Sequence, residues 1–69
     1  MITTADDLVR EMRDHYPSRD VYEARNGGYF LTYRGDVARS VVAGAIDEAL
    51  RRGLIAPKYA ADRHYWCLA

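Results

Sequence analysis

The chain predicts an α+β fold: two helices packed on one face of an antiparallel sheet built from two β-hairpins, in the order α-β-β-α-β-β. Three observations lead there. Two stretches carry apolar residues at helical spacing, each opened by a capping residue. Asn26-Gly27 splits a stretch of alternating side chains between them. A second alternating stretch runs from Leu54 to Leu68, after Gly53. At 69 residues, with 49% hydrophobic and 29% charged side chains, residues 1–69 read as a single small globular domain.

The first helix is expected over residues 4–16. Thr4 serves as N-cap, with Asp7 three residues on as a short capping-box partner. Asp6 and Asp7 also complement the positive end of the helix dipole. Leu8, Met12 and His15 or Tyr16 share one face, with Ala5 and Val9 beside them, while Arg10, Glu11, Arg13 and Asp14 face water. Pro17 stops the helix.

Residues 20–33, DVYEARNGGYFLTY, read as the first hairpin. Both central residues of a type I′ turn need positive φ, which Asn-Gly supplies best. With Asn26 and Gly27 as a two-residue turn, Ala24 faces Tyr29 and Tyr22 faces Leu31. Tyr22, Ala24, Tyr29, Leu31 and Tyr33 then form a nearly apolar face, and Val21, Glu23, Arg25, Phe30 and Thr32 a mixed one.

The second helix is expected over residues 36–52, capped by Asp36 and ended by Gly53 at the C′ position. Its stripe is Val37, Ala38, Val41, Val42, Ala45, Ile46, Ala49 and Leu50. Ser40, Gly44, Asp47, Glu48 and Arg51 lie opposite. In the last hairpin, Leu54–Tyr59 pairs with His64–Leu68 around a turn at residues 60–63. Tyr59 then faces His64, Pro57 faces Trp66 and Ile55 faces Leu68. Lys58 with Tyr65 and Ala56 with Cys67 lie on the other side. Pro57 demotes its strand to an edge or a bulge.

Leu50, Gly53-Leu54-Ile55, the turn at 60–63 and Tyr65-Trp66-Cys67-Leu68 make residues 45–68 similar to the C-terminal half of a winged-helix domain. The resemblance covers about a third of the chain. It implies a helix that enters a major groove and a turn that touches phosphates. The DNA-contacting side chains on that reading are Arg39, Ser40, Arg51, Arg52, Lys58 and Arg63.

Charge points elsewhere. Lys+Arg and Asp+Glu number 10 each, so the basic excess that drives polyanion binding is missing. Asp47 and Glu48 on the second helix repel phosphate.

Catalytic and metal chemistry find little support. His64 and Cys67 sit three apart on a strand and point to opposite faces, so they do not share a metal. No acidic orienter or oxyanion motif accompanies them, so an enzyme is not expected. No cofactor motif is present: Asn26-Gly27-Gly28 is too short for a phosphate loop and lacks the Lys-Ser/Thr that follows one. Arg34-Gly35-Asp36 spells an integrin-type tripeptide, but a hairpin exit and a helix cap explain it.

One cysteine, Cys67, excludes an intramolecular disulfide and suits a reducing compartment. The N-terminus has no apolar signal region and no stretch is long enough to span a bilayer, so a soluble cytoplasmic protein is expected.

Six tyrosines and one tryptophan stand out in so short a chain, because such side chains dominate interface hot spots. Tyr22, Leu31, Trp66 and Leu68 are expected in the core; Tyr29, Tyr59 and Tyr65 are expected to be exposed. The leading expectation is a small non-enzymatic binding protein acting by protein–protein contact. In size, mixed charge and lack of catalytic motifs it resembles the inhibitors that phages and mobile elements encode, such as anti-CRISPR proteins. By that resemblance it sterically blocks a nucleic-acid-binding partner. The candidate contact residues are Asp47, Glu48, Tyr29, Tyr59 and Tyr65. The alternative is a winged-helix-like DNA-binding transcriptional regulator using the six residues named above. A homodimer through an open sheet edge is a further expectation.

Overall fold

The computed structural model describes residues 1–14, 19–31, 39–60 and 63–69, with the side chains of Tyr59, Ala60 and Arg63 outside the described part. Helix α1 (Ala5–Arg13) begins where expected: Thr4 Oγ1 accepts the Asp7 backbone N–H at 3.1 Å, satisfying one of the donors a helix N-terminus leaves open. Ala5, Leu8, Val9 and Met12 are buried, the stripe read from the sequence. His15, Tyr16 and Pro17, expected to close the helix, lie outside the described residues.

The sheet has five antiparallel-paired strands in the order β3-β2-β1-β5-β4. They are β1 (Val21–Glu23), β2 (Tyr29–Leu31), β3 (Ser40–Val41), β4 (Ile55–Ala60) and β5 (Arg63–Leu68), with helix α2 (Ala43–Arg51) between β3 and β4. The chain order is therefore α-β-β-β-α-β-β, and the expected pair of hairpins is corrected by one strand.

The first hairpin forms, but one residue out of the expected register. Val21 pairs with Leu31, Tyr22 with Phe30 and Glu23 with Tyr29. The cause is the turn. The Ala24 N–H donates to the Gly28 carbonyl at 2.7 Å and the Gly27 N–H to the Ala24 carbonyl at 2.9 Å. The loop is thus three residues long, Arg25-Asn26-Gly27, with Gly27 alone at positive φ (+86°). This is a turn closed by a left-handed glycine, the second common use of Asn-Gly in hairpins. A slip of one turns β1 over against β2. Val21 and Leu31 are fully buried, while Tyr22 and Phe30 lie on the other face, half-buried. Tyr22 therefore is not a core residue. Tyr29 is turned inward, its ring 5.6 Å from that of Trp66 in an edge-to-face contact.

Helix α2 is shorter than its apolar stripe suggested. It starts at Ala43 rather than residue 36, with Val42 as an N-cap that makes no side-chain cap bond. Ser40 and Val41 are strand instead, pairing with Phe30 and Tyr29. β-Branched residues satisfy either pattern, and here the sheet took Val41. The expected cap Asp36 and the stripe residues Val37 and Ala38 lie outside the described residues. Beyond Ala43 the reading holds: Ala45, Ile46 and Ala49 are buried and Gly53 ends the helix. The Leu54 N–H donates to the Ala49 carbonyl and the Gly53 N–H to that of Leu50, the paired bonds of a Schellman motif.

The five expected pairs of the last hairpin form: Ile55 with Leu68, Ala56 with Cys67, Pro57 with Trp66, Lys58 with Tyr65 and Tyr59 with His64; Ala60 also pairs with Arg63, so the expected turn at residues 60–63 is corrected by one residue on each side. Strand β4 is the sheet's outer strand, as Pro57 required. The Ala69 N–H bonds to the Leu54 carbonyl, so bonded pairs alternate from there and Pro57 falls between them. Its missing N–H is on the outer side and costs no ladder bond. At the opposite edge, the Ile2 N–H donates to the Ser40 carbonyl and the Val42 N–H to the Ile2 carbonyl, both at 2.9 Å. This parallel bridge covers β3 with the N-terminal segment.

One core follows from this. Val21, Leu31, Val41 and Ile55 from the sheet pack with Ala5, Leu8, Val9, Met12, Ala45, Ile46 and Ala49 from the helices and with Ile2. Trp66, Leu68 and Tyr29 pack around its margin. Both helices lie on this one face, and among the described residues no element covers the other face of the sheet.

Candidate binding face

Register alone builds the site. Ser40 pairs with Phe30, Phe30 with Tyr22, Tyr22 with Tyr65, and Tyr65 with Lys58. These five residues form one continuous row across all five strands, on the face away from the helices. Neighbouring strands are about 4.8 Å apart, so the row runs roughly 19 Å. Its centre is aromatic: Phe30, Tyr22 and Tyr65 on β2, β1 and β5, each half-buried. The Tyr22 and Phe30 rings are 5.9 Å apart and tilted by 33°.

Local sequence positions these rings. Gly28 gives Phe30 its place, because a Cβ there would lie 3.0 Å from Phe30 Cε2. At the other end, Lys58 Nζ lies 3.2 Å from Asp20 Oδ2, an ion pair joining β4 to the entry of β1. Cys67 and Ala56 sit two pairs along, with the Cys67 Sγ 3.7 Å from the Ala56 carbonyl oxygen.

The residues nominated from sequence are split between the two layers. Tyr65, Ser40 and Lys58 come together in the row. Tyr29 lies on the helix-covered face against Trp66. Asp47, exposed, and Glu48, half-buried, are on α2, in the layer opposite the row. The side chains of Tyr59 and Arg63 lie outside the described part. Arg39 binds Glu11 of α1, and Arg52 Nη1 lies 3.1 Å from Asp6 Oδ1. Arg51 is exposed in the last turn of α2. The described basic candidates thus occupy both layers rather than one strip.

Tyr22 was missed as a surface residue, while Phe30 was read on the mixed face but not nominated as a contact residue. The signal was present in Arg25-Asn26-Gly27: read as a three-residue loop, it puts both aromatics on the face opposite Leu31. Among the described residues, no three His, Cys, Asp or Glu side chains come together as a metal site, and no helix is long and apolar enough to cross a membrane. No protein-family model matches the chain, and comparison with curated proteins and with solved structures gives no match.

Proposed function

We propose that this protein is a non-enzymatic binding module whose contact surface is the uncovered sheet face, and that its partner is a protein. The observation that carries the reading is the row Phe30–Tyr22–Tyr65 on three adjacent strands, with neither α1 nor α2 over it. Half-buried aromatic side chains on a rigid sheet offer large contact area at little cost in side-chain entropy. The hydroxyls of Tyr22 and Tyr65 supply polar tips for orientation. The mode of action is steric: the domain occupies a partner's surface, as the small phage-encoded inhibitors that it resembles do.

Charge supports a protein over a nucleic acid. Lys58, the one cation of the row, is paired with Asp20, and Arg39 and Arg52 are paired with carboxylates of the helical layer. A phosphate backbone would have to displace these carboxylates. The winged-helix-like alternative would use Arg39, Ser40, Arg51, Arg52, Lys58 and Arg63 on duplex DNA. Its mark is duplex binding at low salt that weakens steeply as salt rises.

Photo-crosslinking tests the reading in cells of the native host. Tyr65 is replaced by p-benzoylphenylalanine, with Asp47 replaced likewise as the control in the opposite layer. Position 65 is expected to give one discrete protein adduct that is lost on adding Phe30→Ser, and position 47 none. Nucleic-acid adducts at position 65, or the same protein adducts from both positions, would overturn it.

A further inference from the structure

We infer that Pro57 is a gatekeeper: it keeps the outer edge of β4 from pairing with a second copy of this chain. This role is independent of what the uncovered face binds. A sheet has two edges, and each presents backbone donors and acceptors to any strand that approaches. At one edge the N-terminal segment already takes them, since Ile2 donates to the Ser40 carbonyl and accepts from the Val42 N–H. At the other, β4 runs six residues from Ile55 to Ala60, with no strand beyond it among the described residues. An extended edge of that length is a template for a further strand.

The register of the last hairpin decides which groups face out. The Ala69 N–H bonds to the Leu54 carbonyl, so Ala56, Lys58 and Ala60 turn their bonding groups toward β5. Ile55, Pro57 and Tyr59 turn theirs away, and Pro57 is the middle one of the three. Two copies related by a two-fold axis pair antiparallel. Any such register that engages more than one of these residues on each copy therefore engages Pro57. Each copy then lacks the N–H that residue 57 would donate, and the proline Cδ stands in the place of the hydrogen. The ladder loses two bonds, and two carbonyls of the facing strands are taken from water without a donor. Pro57 is exposed, so core packing does not require a proline at this position. The homodimer expected through an open sheet edge is the arrangement that this residue opposes.

The test is sedimentation equilibrium of the whole domain, with amide hydrogen exchange by NMR as the second readout. In the intact chain the Ile55 and Tyr59 amides are expected to exchange at a rate independent of protein concentration, up to about 1 mM. Pro57→Val and Pro57→Ala each restore the N–H at an exposed position, so neither disturbs the core. Both variants should dimerise at least about tenfold more tightly than the intact chain, because two hydrogen bonds return. Their Ile55 and Tyr59 amides should become protected as the concentration rises. Two readouts are needed because a dimer formed through the uncovered face would leave those amides open. Monomeric Pro57→Val and Pro57→Ala, or dimers in which Ile55 and Tyr59 stay unprotected, would overturn the role of Pro57. So would concentration-dependent protection of the same amides in the intact chain.

Discussion

Val21→Asp is expected to unfold the domain, while Tyr22→Ser, one position along the same strand, leaves it folded. Val21 has no exposed surface and no cation faces it: its neighbours across the sheet are Leu31 and Trp66. A carboxylate there must be buried without a partner or neutralised, at a cost of about 4 kcal/mol or more. A chain of 69 residues has roughly 3–10 kcal/mol of stability in all. Tyr22 is half-buried on the uncovered face, and its loss should cost about 1 kcal/mol, chiefly from the contact with Phe30. Urea denaturation followed by circular dichroism measures both. The two-residue turn would reverse the order, since it puts Tyr22 inside and Val21 outside. A folded Val21→Asp with an unfolded Tyr22→Ser would therefore reject the register, and with it the aromatic row.

The second large effect is expected at the N-terminus. Ile2 is 2% exposed, and its backbone bridges Ser40 and Val42. Ile2→Ala keeps the bridge but empties part of the core, for about 2–5 kcal/mol. Deleting Met1–Thr3 removes the bridge as well, which adds about 1 kcal/mol for each of two hydrogen bonds. It also exposes the backbone edge of β3. Thermal unfolding should rank the three proteins as intact, Ile2→Ala, then the deletion. Equal melting temperatures for the intact and deleted chains would show that the segment contributes nothing to the fold.

Helix α1 and the β4–β5 hairpin were legible in the sequence because each carries two agreeing signals. Thr4 and the Leu8–Met12 stripe specify the helix, and Ile55, Pro57, Trp66 and Leu68 alternate in step across the turn. Elsewhere a single signal admitted two structures. Asn26-Gly27 closes either a two-residue or a three-residue loop, and β1–β2 is apolar enough on both faces that alternation did not decide. Val41 and Val42 fit a helix stripe as well as a strand, and only pairing with Tyr29 and contact with Ile2 distinguish them. The binding row inherits the first ambiguity. Tyr65, Ser40 and Lys58 were nominated separately and for different ligands, but the row appears only when Tyr22 is turned outward to join Phe30. Partner choice was legible only as charge balance, and the pairing of Lys58 with Asp20, 38 positions apart, is a tertiary fact no local pattern carries.

The strand order also bears on how the chain reaches this structure. Strands β1 and β2 are joined by a short loop, and so are β4 and β5, so each hairpin closes locally and fast. Within the sheet, the two hairpins meet only where β1 pairs with β5, with Val21 opposite Trp66 some 45 positions later. Closing so long a loop before any contact rewards it is the slow step in a fold of this kind. The strand order predicts folding by docking of two preformed hairpins, with the β1–β5 seam as the rate-limiting event. Trp66→Phe at that seam should slow refolding, whereas Ile55→Val at the outer strand should mainly speed unfolding. Stopped-flow kinetics in urea separates the two effects, and a reversed assignment would place the barrier inside a hairpin instead.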